Sequence, residues 1–321
     1  MIRPFSLNDM PLLNRYRDSG IFLDSVPTLT WGRIIIPGGA VLSPFSSLTG
    51  VFTSVVDDPE NEALIGQVVH SQGSPFAHFT FLAPLEQLDS PLLPELLENL
   101  ITRIGARGAN SLIAEVDVDS AAFRALKEAG FSVYSRQRIW RVPRQAGLEE
   151  VNSDWRAAEN SDAFSVNLLC GSLVPGLIQQ VEPTPWDSLS GQVLYQQGEL
   201  RAYADIRSGP QGTWMQPFAH LDMQAQQAMF GELFNSLERN RRQPIFVCVR
   251  SYQDHLEPVL LEIGAEQGPQ QAVMVKRTTR SVRSVERKVI TEAERRRAEP
   301  STPIRVPWQQ ASQEIEWTTN D

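Results

Sequence analysis

The stretch SLIAEVDVDSAAFRALKEAGFSVYSRQRIWRV, residues 111–142, decides the fold of this chain. It begins with Ser111–Val116, an apolar run of strand length, after which Asp119 or Ser120 offers a side-chain oxygen to cap a helix. Alanines and a leucine recur at helical spacing, and the glycine of a Gly-Phe pair ends the helix, because glycine adopts a left-handed backbone at little cost. The residues from there to Val142 alternate in polarity, as in a half-buried strand. The unit is therefore strand, short helix, Gly-Phe, strand.

The same unit recurs near the other end of the chain, in PIFVCVRSYQDHLEPVLLEIGAEQGPQQAVMVKR, Pro244–Arg277. A single shift aligns Leu126 with Leu260 and Gly130 with Gly264. Identity between the two stretches is low, so the repeat is inferred from the order of apolar, polar and glycine positions.

The repeat extends upstream of this unit in both copies. The helical run Pro91–Gly108 falls on Ala225–Arg242 under the same shift. The opening IRPFSLND, residues 2–9, also resembles WRAAENSD, residues 155–162. A period of this length is typical of a duplicated domain, because the repeats of solenoids are far shorter.

Three strand-like runs separate the opening of each copy from its long helix. They are Val51–Val56, Ala63–His70 and Ala77–Ala83 in the first copy, and Gly191–Gln196, Leu200–Arg207 and Gly212–Phe218 in the second. The region Ile21–Leu48 shows no clear period and is interpreted as an extended connection of uncertain structure.

These patterns predict an α/β (α+β) fold with a mixed sheet, built from two similar domains in tandem. The predicted domains are residues 1–142 and 154–279. Residues 143–153 are polar and aperiodic, as in a linker. Residues 280–321 form a charged tail whose composition favours disorder.

The composition limits the classes of function. The length of 321 residues favours two domains, and the net charge of −9 with a pI near 5.1 argues against nucleic acid or an anionic membrane as partner. No signal peptide or membrane-spanning apolar run is recognisable, so we expect a soluble, cytoplasmic protein. Cys170 and Cys248 lie in apolar contexts that predict buried free thiols. Only four histidines occur, without a Cys/His cluster, so we expect no metal site.

The order of the predicted elements resembles that of the GNAT acyltransferases, in two copies covering about residues 1–142 and 153–277. The most specific match is DSAAFRALKEAGF, residues 119–131, which is similar to the family's final helix pattern N-x-x-A-x-x-x-Y-x-x-x-G-F. Asp119 stands at the Asn position, and the Ala, Gly and Phe positions match. The opening of the first copy also resembles that of the family.

This resemblance implies an N-acyltransferase that moves an acetyl group from acetyl-CoA to an amine of a small molecule or a protein. In the family, acyl-CoA lies in a cleft between the fourth and fifth strands. Its pantetheine arm pairs with the fourth strand, and its pyrophosphate contacts the amides at the start of the long helix. The cofactor-binding residues implied for this sequence are Phe81, Leu82 and Ala83 in the first copy and Pro217, Phe218 and Ala219 in the second.

Both copies depart from the family at the phosphate loop, whose pattern Q/R-x-x-G-x-G/A lets the backbone approach the phosphates. The first copy has Glu86, Asp89 and Pro91 there, and the second has Asp222 near its helix start, without the glycines. An acidic residue at a helix start is also an ordinary cap. The alternative to an enzyme is therefore a catalytically inactive tandem GNAT-like protein with a ligand-binding, regulatory or interaction role.

Candidate catalytic residues lie on or just after the fifth strand of each copy. In the family a tyrosine on the last helix often protonates the leaving thiolate, but leucine holds that position in both copies. Tyr252 and His255 follow the fifth strand of the second copy and are candidates for a proton donor or base, with a polar helix cap as the alternative. Glu115 is a further candidate base. It shares a strand face with Asp117, so both reach the cleft or both are solvated.

Other polar and aromatic residues have two interpretations. His220 and Asp222 could polarise a bound group or lie in a surface turn, and the basic cluster at residues 295–297 could contact an anionic protein partner or be solvated. Five tryptophans are predicted to pack in the core or between the domains, namely Trp31, Trp140, Trp155, Trp186 and Trp214.

Overall fold

The computed structural model describes residues 1–16, 18–33, 50–57, 63–143, 154–182, 189–219, 226–240 and 243–278. The chain up to Arg280 forms one compact unit. Within the described residues the strands belong to one large mixed sheet of thirteen strands, with helices on both of its faces. Among the described helices, none is long and apolar enough to cross a membrane.

The first half of the chain, residues 1–142, contains seven of the strands. Its elements are β1 (Ile2–Pro4), α1 (Met10–Tyr16), β2 (Ile21–Phe22), α2 (Ser25–Trp31), β3 (Val51–Val56), β4 (Leu64–Val69), β5 (Phe76–Ala83), α3 (Leu93–Gly105), β6 (Ser111–Asp117), α4 (Ala121–Glu128) and β7 (Ser132–Val142). The predicted order of elements is therefore present, with β2 and α2 in the region interpreted as an extended connection.

The second half, residues 154–278, repeats this order, and its described residues contain no counterpart of β2. Its elements are β8 (Trp155–Ala157), α5 (Ala163–Leu173), α6 (Gly176–Gln179), β9 (Gly191–Gln196), β10 (Glu199–Ser208), β11 (Thr213–Ala219), α7 (Gln226–Asn240), β12 (Ile245–Arg250), α8 (Glu257–Glu262) and β13 (Glu266–Arg277). Residues 144–153 of the predicted linker (residues 143–153) and the charged tail lie outside the described residues, so those domain boundaries stay predictions.

The two halves exchange their last strands. Across the sheet the order is β1-β3-β4-β5-β6-β13-β7-β12-β11-β10-β9-β8, and β2 pairs with β5 off this path. The strand β13 lies beside β6 of the first half, and β7 lies beside β12 of the second half. The exchanged strands β7 and β13 also pair with each other, all in antiparallel register. Neither half therefore has a complete sheet without the other.

A glutamine pair marks the centre of this exchange. Gln137 and Gln271 are direct cross-strand partners, and the Gln137 side-chain amide donates a 3.0 Å hydrogen bond to Gln271 Oε1. The shift that aligns Leu126 with Leu260 also aligns these two glutamines. Because equivalent residues of the two copies face each other here, the duplicated halves are related by an approximate two-fold axis through this pair.

Ser120 caps the start of α4, its hydroxyl accepting a 3.1 Å hydrogen bond from Phe123 N. The C-terminal ends of the short helices α4 and α8 are alike in the two copies. Gly130 and Gly264 both have positive φ, +89° and +78°, as a left-handed C-terminal position requires. The next residue in each copy then donates to a leucine carbonyl one turn back, at 3.0 Å and 2.9 Å. The predicted repeat is confirmed at this turn.

An arginine clamp opens each half. Arg3 donates two hydrogen bonds to the Asp9 carboxylate, at 2.6 and 2.8 Å, and Arg156 donates two to Asp162, at 2.6 and 2.8 Å. Each carboxylate also accepts the backbone N–H three residues before it. Such two-point pairing is geometrically specific, so it fixes the first strand of each half against the helix that follows.

The predictions on packing are confirmed in part. Cys170 and Cys248 are free and buried, as expected. Of the tryptophans, Trp140, Trp155 and Trp214 are buried, and Trp186 lies outside the described residues. Trp31 does not pack in the core: it is 57% exposed at the end of α2.

We predict that Asp162→Asn destabilises the protein at neutral pH. The paired Arg156 guanidinium lowers the pKa of Asp162 to about 2, so the carboxylate stabilises the fold above its unfolded pKa and loses this effect as pH falls toward 2. At about 1.4 kcal/mol per tenfold change in proton affinity, the loss is about 2 kcal/mol. Urea unfolding near neutral pH and in acid measures it, with Glu159→Gln as control; equal stability of Asp162→Asn and wild type near neutral pH would contradict the expectation.

We also predict that neither half folds alone as a monomer. A fragment of residues 1–143 leaves β6 without β13 and leaves β7 without either neighbour. Mixing this fragment with residues 154–278 should restore a one-to-one complex. Circular dichroism and size-exclusion chromatography test this expectation, and a folded, monomeric fragment 1–143 would show that the exchange is dispensable.

Candidate functional site

Each half has a V-shaped opening where its two parallel strands part. In the first half β5 and β6 pair only at Phe76–His78 and Ser111–Ile113, and then diverge. In the second half β11 and β12 pair only at Thr213–Met215 and Ile245–Val247. The backbone groups beyond these points are left without a parallel partner strand, so each opening is a place where a ligand or another segment can pair.

The first opening is occupied by the chain itself. Ile21 and Phe22 of β2 pair with Leu82 and Phe81 of β5. Leu23 then bridges the two diverging strands, donating its N–H to Thr80 O at 3.1 Å and accepting the Glu115 N–H at 2.8 Å. Phe81, Leu82 and Ala83, the residues implied for cofactor binding in this half, therefore lie beside a strand of the protein.

Close packing holds this inserted segment in place. A side chain at Gly20, just before β2, would overlap the Phe81 ring, so glycine is required for the approach. The Phe22 and Phe81 rings lie 5.2 Å apart at a tilt of 54°, and Leu23 is buried in the first-half core. Removing β2 from the opening would expose these side chains and leave backbone groups unpaired.

The first N–H groups of α2 donate hydrogen bonds to two carboxylates. The Asp24 side chain caps it by accepting Val26 N at 3.2 Å, and Glu115 Oε2 accepts Ser25 N at 2.9 Å. Free N–H groups at a helix start favour such anions. Glu115, predicted as a base, is thus engaged in holding the helix, and its catalytic role stays a prediction.

Burial raises the pKa of Asp24 to about 6. Its Oδ2 lies 3.6 Å from His78 Nδ1, and a positive charge on that ring lowers the pKa of Asp24, whereas the negative charge of the nearby Glu115 raises it further.

At its other end, α2 reaches the second half, where Thr30 O accepts the Gln211 N–H at 2.8 Å. The segment that occupies the first opening is therefore tied to both halves.

The second opening is bridged by a side chain instead. The Gln253 amide donates to Pro217 O on β11, and its Oε1 accepts Arg250 N on β12 at 3.2 Å. Gln253 lies in a short 3₁₀ segment, Ser251–Leu256, that follows β12. Proline at 217 has no N–H to offer, which fits a strand without a partner on that side. Pro217, Phe218 and Ala219, the implied cofactor residues of this half, therefore border an opening that one side-chain amide bridges among the described residues.

Tyr252 stands beside this opening. Its phenol oxygen accepts a hydrogen bond from Gln216 Nε2 at 3.2 Å, which leaves the phenol hydrogen available to another group. Burial raises the pKa of Tyr252, so it is protonated at neutral pH. Among the side chains predicted from the sequence, Tyr252 is the one whose geometry suits a proton donor.

The other predicted residues are less clearly placed. His255 is partly buried, its Nε2 has no hydrogen-bond partner among the described residues, and burial lowers its pKa, so it is neutral. Asp254 is exposed. His220 and Asp222 lie outside the described residues. The catalytic roles predicted from the sequence for Tyr252, His255 and Glu115 therefore stay predictions.

Two side chains beside Tyr252 were missed by sequence reasoning. Arg250, the last residue of β12, is buried and donates from Nη2 to Glu182 Oε1 at 3.3 Å. Burial raises the pKa of Tyr252, and the charges of Arg250 and Glu182 act on it as well. An arginine at the end of the otherwise apolar run IFVCVR was the available signal, because buried charge is rarely retained without a purpose.

A cavity of about 350 Å³ lies away from this chemistry. It is bounded by α2 and β10, and its lining includes Trp31, Ser190 and Arg207. None of the predicted catalytic or cofactor residues lines it. In the described part of the chain, no three Asp, Glu, His or Cys side chains come close enough to hold a metal ion.

Solved structures that resemble this one include GNAT proteins. A tandem GNAT protein from the clavulanic acid biosynthesis pathway, solved without acetyl-CoA, is 13% identical, with 87% of this chain and 98% of that chain covered and a TM-score of 0.51. A GNAT acetyltransferase from Colwellia psychrerythraea is 14% identical, with coverages of 87% and 100% and a TM-score of 0.42. A GCN5-related N-acetyltransferase from Sphaerobacter thermophilus is 12% identical, with coverages of 70% and 80% and a TM-score of 0.46.

No protein-family model and no curated protein sequence matches the chain. The likeness to the tandem protein shows the fold: this chain is a tandem GNAT-like protein with a mixed α/β architecture. At this identity the likeness does not extend to activity, since one fold carries many functions.

We predict that Asp24→Asn stabilises the protein near neutral pH and has little effect near pH 4. A buried carboxyl with a raised pKa favours the protonated folded state, so its ionisation costs stability as pH rises from about 4 through 6. Asparagine keeps the helix cap without the charge, and the gain is about 2–3 kcal/mol by linkage.

Urea unfolding at both pH values measures this difference. Asp205 is a matched control, because burial also raises its pKa to about 6 and it lies in the second half. Asp205→Asn should give the same sign independently of β2 and α2. A stability gain for Asp24→Asn that is equal at both pH values would contradict the assignment.

Proposed function

We propose that the protein is an N-acyltransferase that acts through its second half and moves an acetyl group from acetyl-CoA to an amine. The observation that supports this most is the opening between β11 and β12, with the Tyr252 phenol beside it and no strand inside it among the described residues. The first opening, in contrast, contains β2. The GNAT-like fold supports acyl transfer as the general class of reaction.

The second opening fits a thioester cofactor on its β11 side. Pro217 O faces the opening, and its partner is the Gln253 side-chain amide, which can move aside more easily than a strand. The corresponding carbonyl of the first half, Thr80 O, is bound by backbone. Pro217, Phe218 and Ala219 would hold the pantetheine arm. When bound, acetyl-CoA supplies the thioester carbon that the amine attacks.

The side chains have distinct tasks in this proposal. Tyr252 donates its phenol proton to the leaving sulfur, a role that suits a tyrosine kept protonated by burial. Gln216 orients the phenol by donating to its oxygen. His255, neutral at physiological pH, is a candidate to take the proton of the amine, and Glu115 is a second candidate.

A second candidate function is ligand binding without turnover. The observation that favours it is that both openings are bridged, one by Leu23 and the other by Gln253. In this case the second half retains a cleft, and the tail or another surface carries the biological role. Binding of acetyl-CoA without any product would distinguish this candidate from the enzyme.

We expect acetyl-CoA to bind the full chain and Tyr252→Phe to lower turnover by about 10²-fold while leaving that binding unchanged. Calorimetry or thermal shift measures binding, and release of free CoA thiol in the presence of a panel of amines measures turnover. Tyr195→Phe, on β9, is the matched control. Absence of binding at millimolar acetyl-CoA would exclude the proposed activity.

A further inference from the structure

Arg250 has a hydrogen-bonding group that the protein leaves unused. Its side chain is 8% exposed, and Nη2 is bound to Glu182, but the buried Nη1 has no hydrogen-bond partner among the described residues. Buried donors in folded proteins are almost always satisfied by protein, water or ligand. A guanidinium with one free donor edge is suited to a carboxylate oxygen.

A β-bulge brings a second unused donor to the same place. The register between β7 and β13 passes from Ser135 opposite Val273 to Val133 opposite Met274, which leaves Tyr134 as the extra residue. Bulges redirect side chains. The Tyr134 ring packs against the two apolar clusters that contain Val166 and Val181. Its buried hydroxyl lies close enough to Glu182 and Arg250 for their charges to act on it, but it makes no hydrogen bond of good geometry among the described residues.

Two carboxylates and one guanidinium surround these donors, so the negative charges outnumber the positive one. Arg250 is influenced by Glu182 and by Glu115, and both carboxylates also act on Tyr134. A simple anion would meet two carboxylates for one guanidinium. A ligand that carries both a carboxylate and an ammonium group complements the whole set, because each of its charges finds an opposite partner.

The first half has no equivalent of this arrangement. Under the shift that aligns the two copies, Arg250 corresponds to Val116 and Tyr134 to Gly268. The two donors therefore lie beside the second opening, which contains no strand among the described residues. Tyr134 belongs in sequence to the first half, and it reaches this place because its strand β7 pairs with β12.

We infer that the amine acceptor is a free amino acid, with its carboxylate on Arg250 Nη1 and the Tyr134 hydroxyl and its amino group toward Glu182. The inference rests on the proposed function for the transfer step and extends it to a substrate class. The amino nitrogen bonds to the acyl carbon while the carbon–sulfur bond breaks. The bound ammonium first releases one proton to solvent, so that the nitrogen can attack. For this substrate class Glu182, rather than His255 or Glu115, takes the second proton from nitrogen, and Tyr252 gives one to the sulfur. Glu182 then loses its proton to solvent, and solvent returns a proton to Tyr252.

Calorimetry on the full chain with each of the twenty protein amino acids tests the binding mode. The tightest ligand is then compared with its decarboxylated amine and with its deaminated acid. We expect each truncated ligand to bind at least about tenfold more weakly, because one charged contact is lost. The inference would be overturned if no amino acid bound at about 10 mM, a limit chosen because small ligands often bind weakly. It would also be overturned if the amine that lacks a carboxylate bound as tightly as the amino acid.

Variants assign the contacts. Tyr134→Phe removes only a hydroxyl without a described partner and should fold normally, yet weaken amino-acid binding about tenfold. Tyr203→Phe is the matched control, since its hydroxyl donates to Ser190 O at 3.0 Å, away from Arg250, and binding should not change. Glu182→Gln should weaken binding of the amino acid and of the decarboxylated amine alike. Unchanged binding in Tyr134→Phe would refute the assigned contact.

Acetyl-CoA is titrated separately, so the two proposals can fail independently. If acetyl-CoA binds and amines without a carboxylate are acetylated as fast as amino acids, the substrate class is wrong and the acyltransferase stands. If amino acids bind with the expected dependence on Tyr134 but acetyl-CoA does not bind, the amino-acid site stands and the acyltransferase fails.

Discussion

The antiparallel pairing of β7 with β13 is the constraint on which the rest of the structure depends. Each of these strands completes the sheet of the half to which it does not belong, and the Gln137–Gln271 pair fixes their register at the approximate two-fold axis. A slip of one residue would move every side chain of both strands to the opposite face. The register between β7 and β13 therefore decides which side chains lie beside each opening.

The two copies solve the same structural problem differently. Where two parallel strands part, backbone groups lose their partners, and buried groups of this kind must be satisfied. The first half uses the backbone of Leu23, supported by aromatic packing, and the second, in the part of the chain that the structure describes, uses the Gln253 side chain. A strand held by a packed segment is costly to displace, whereas a single amide is easily replaced. The duplicated scaffold is thus asymmetric in what it leaves accessible.

The sequence predicted the elements that depend on local pattern. Strands, the long helix α3, the Gly-terminated helices and the repeat all follow from periodicity and glycine placement, and the structure confirms them. The segment β2–α2 was missed because it is short, contains Pro27 and β-branched residues, and is stabilised by partners distant in sequence, such as Glu115. Strand exchange was likewise invisible, since either pairing satisfies the same pattern of polarity.

The candidate site was predictable only in outline. The segment after β12 was singled out from the sequence, and its catalytic role stays a prediction. Tyr134 was interpreted as part of an alternating strand, whereas the structure makes it the extra residue of a bulge between β7 and β13. Glu182 follows a short helix with no recognisable motif. Side chains that are aimed by register irregularities and by long-range pairing leave no periodic trace in the sequence.

The segment in the first opening has a consequence for the loop that follows β5. With Ile21–Leu23 seated between β5 and β6, no diphosphate needs to be received at the neighbouring helix start. Glu86, Asp89 and Pro91, at positions that would repel a phosphate or offer it no N–H group, are compatible with this arrangement. The duplicated chain thus supplies its own third strand to one pair of parted strands and a lone side chain to the other.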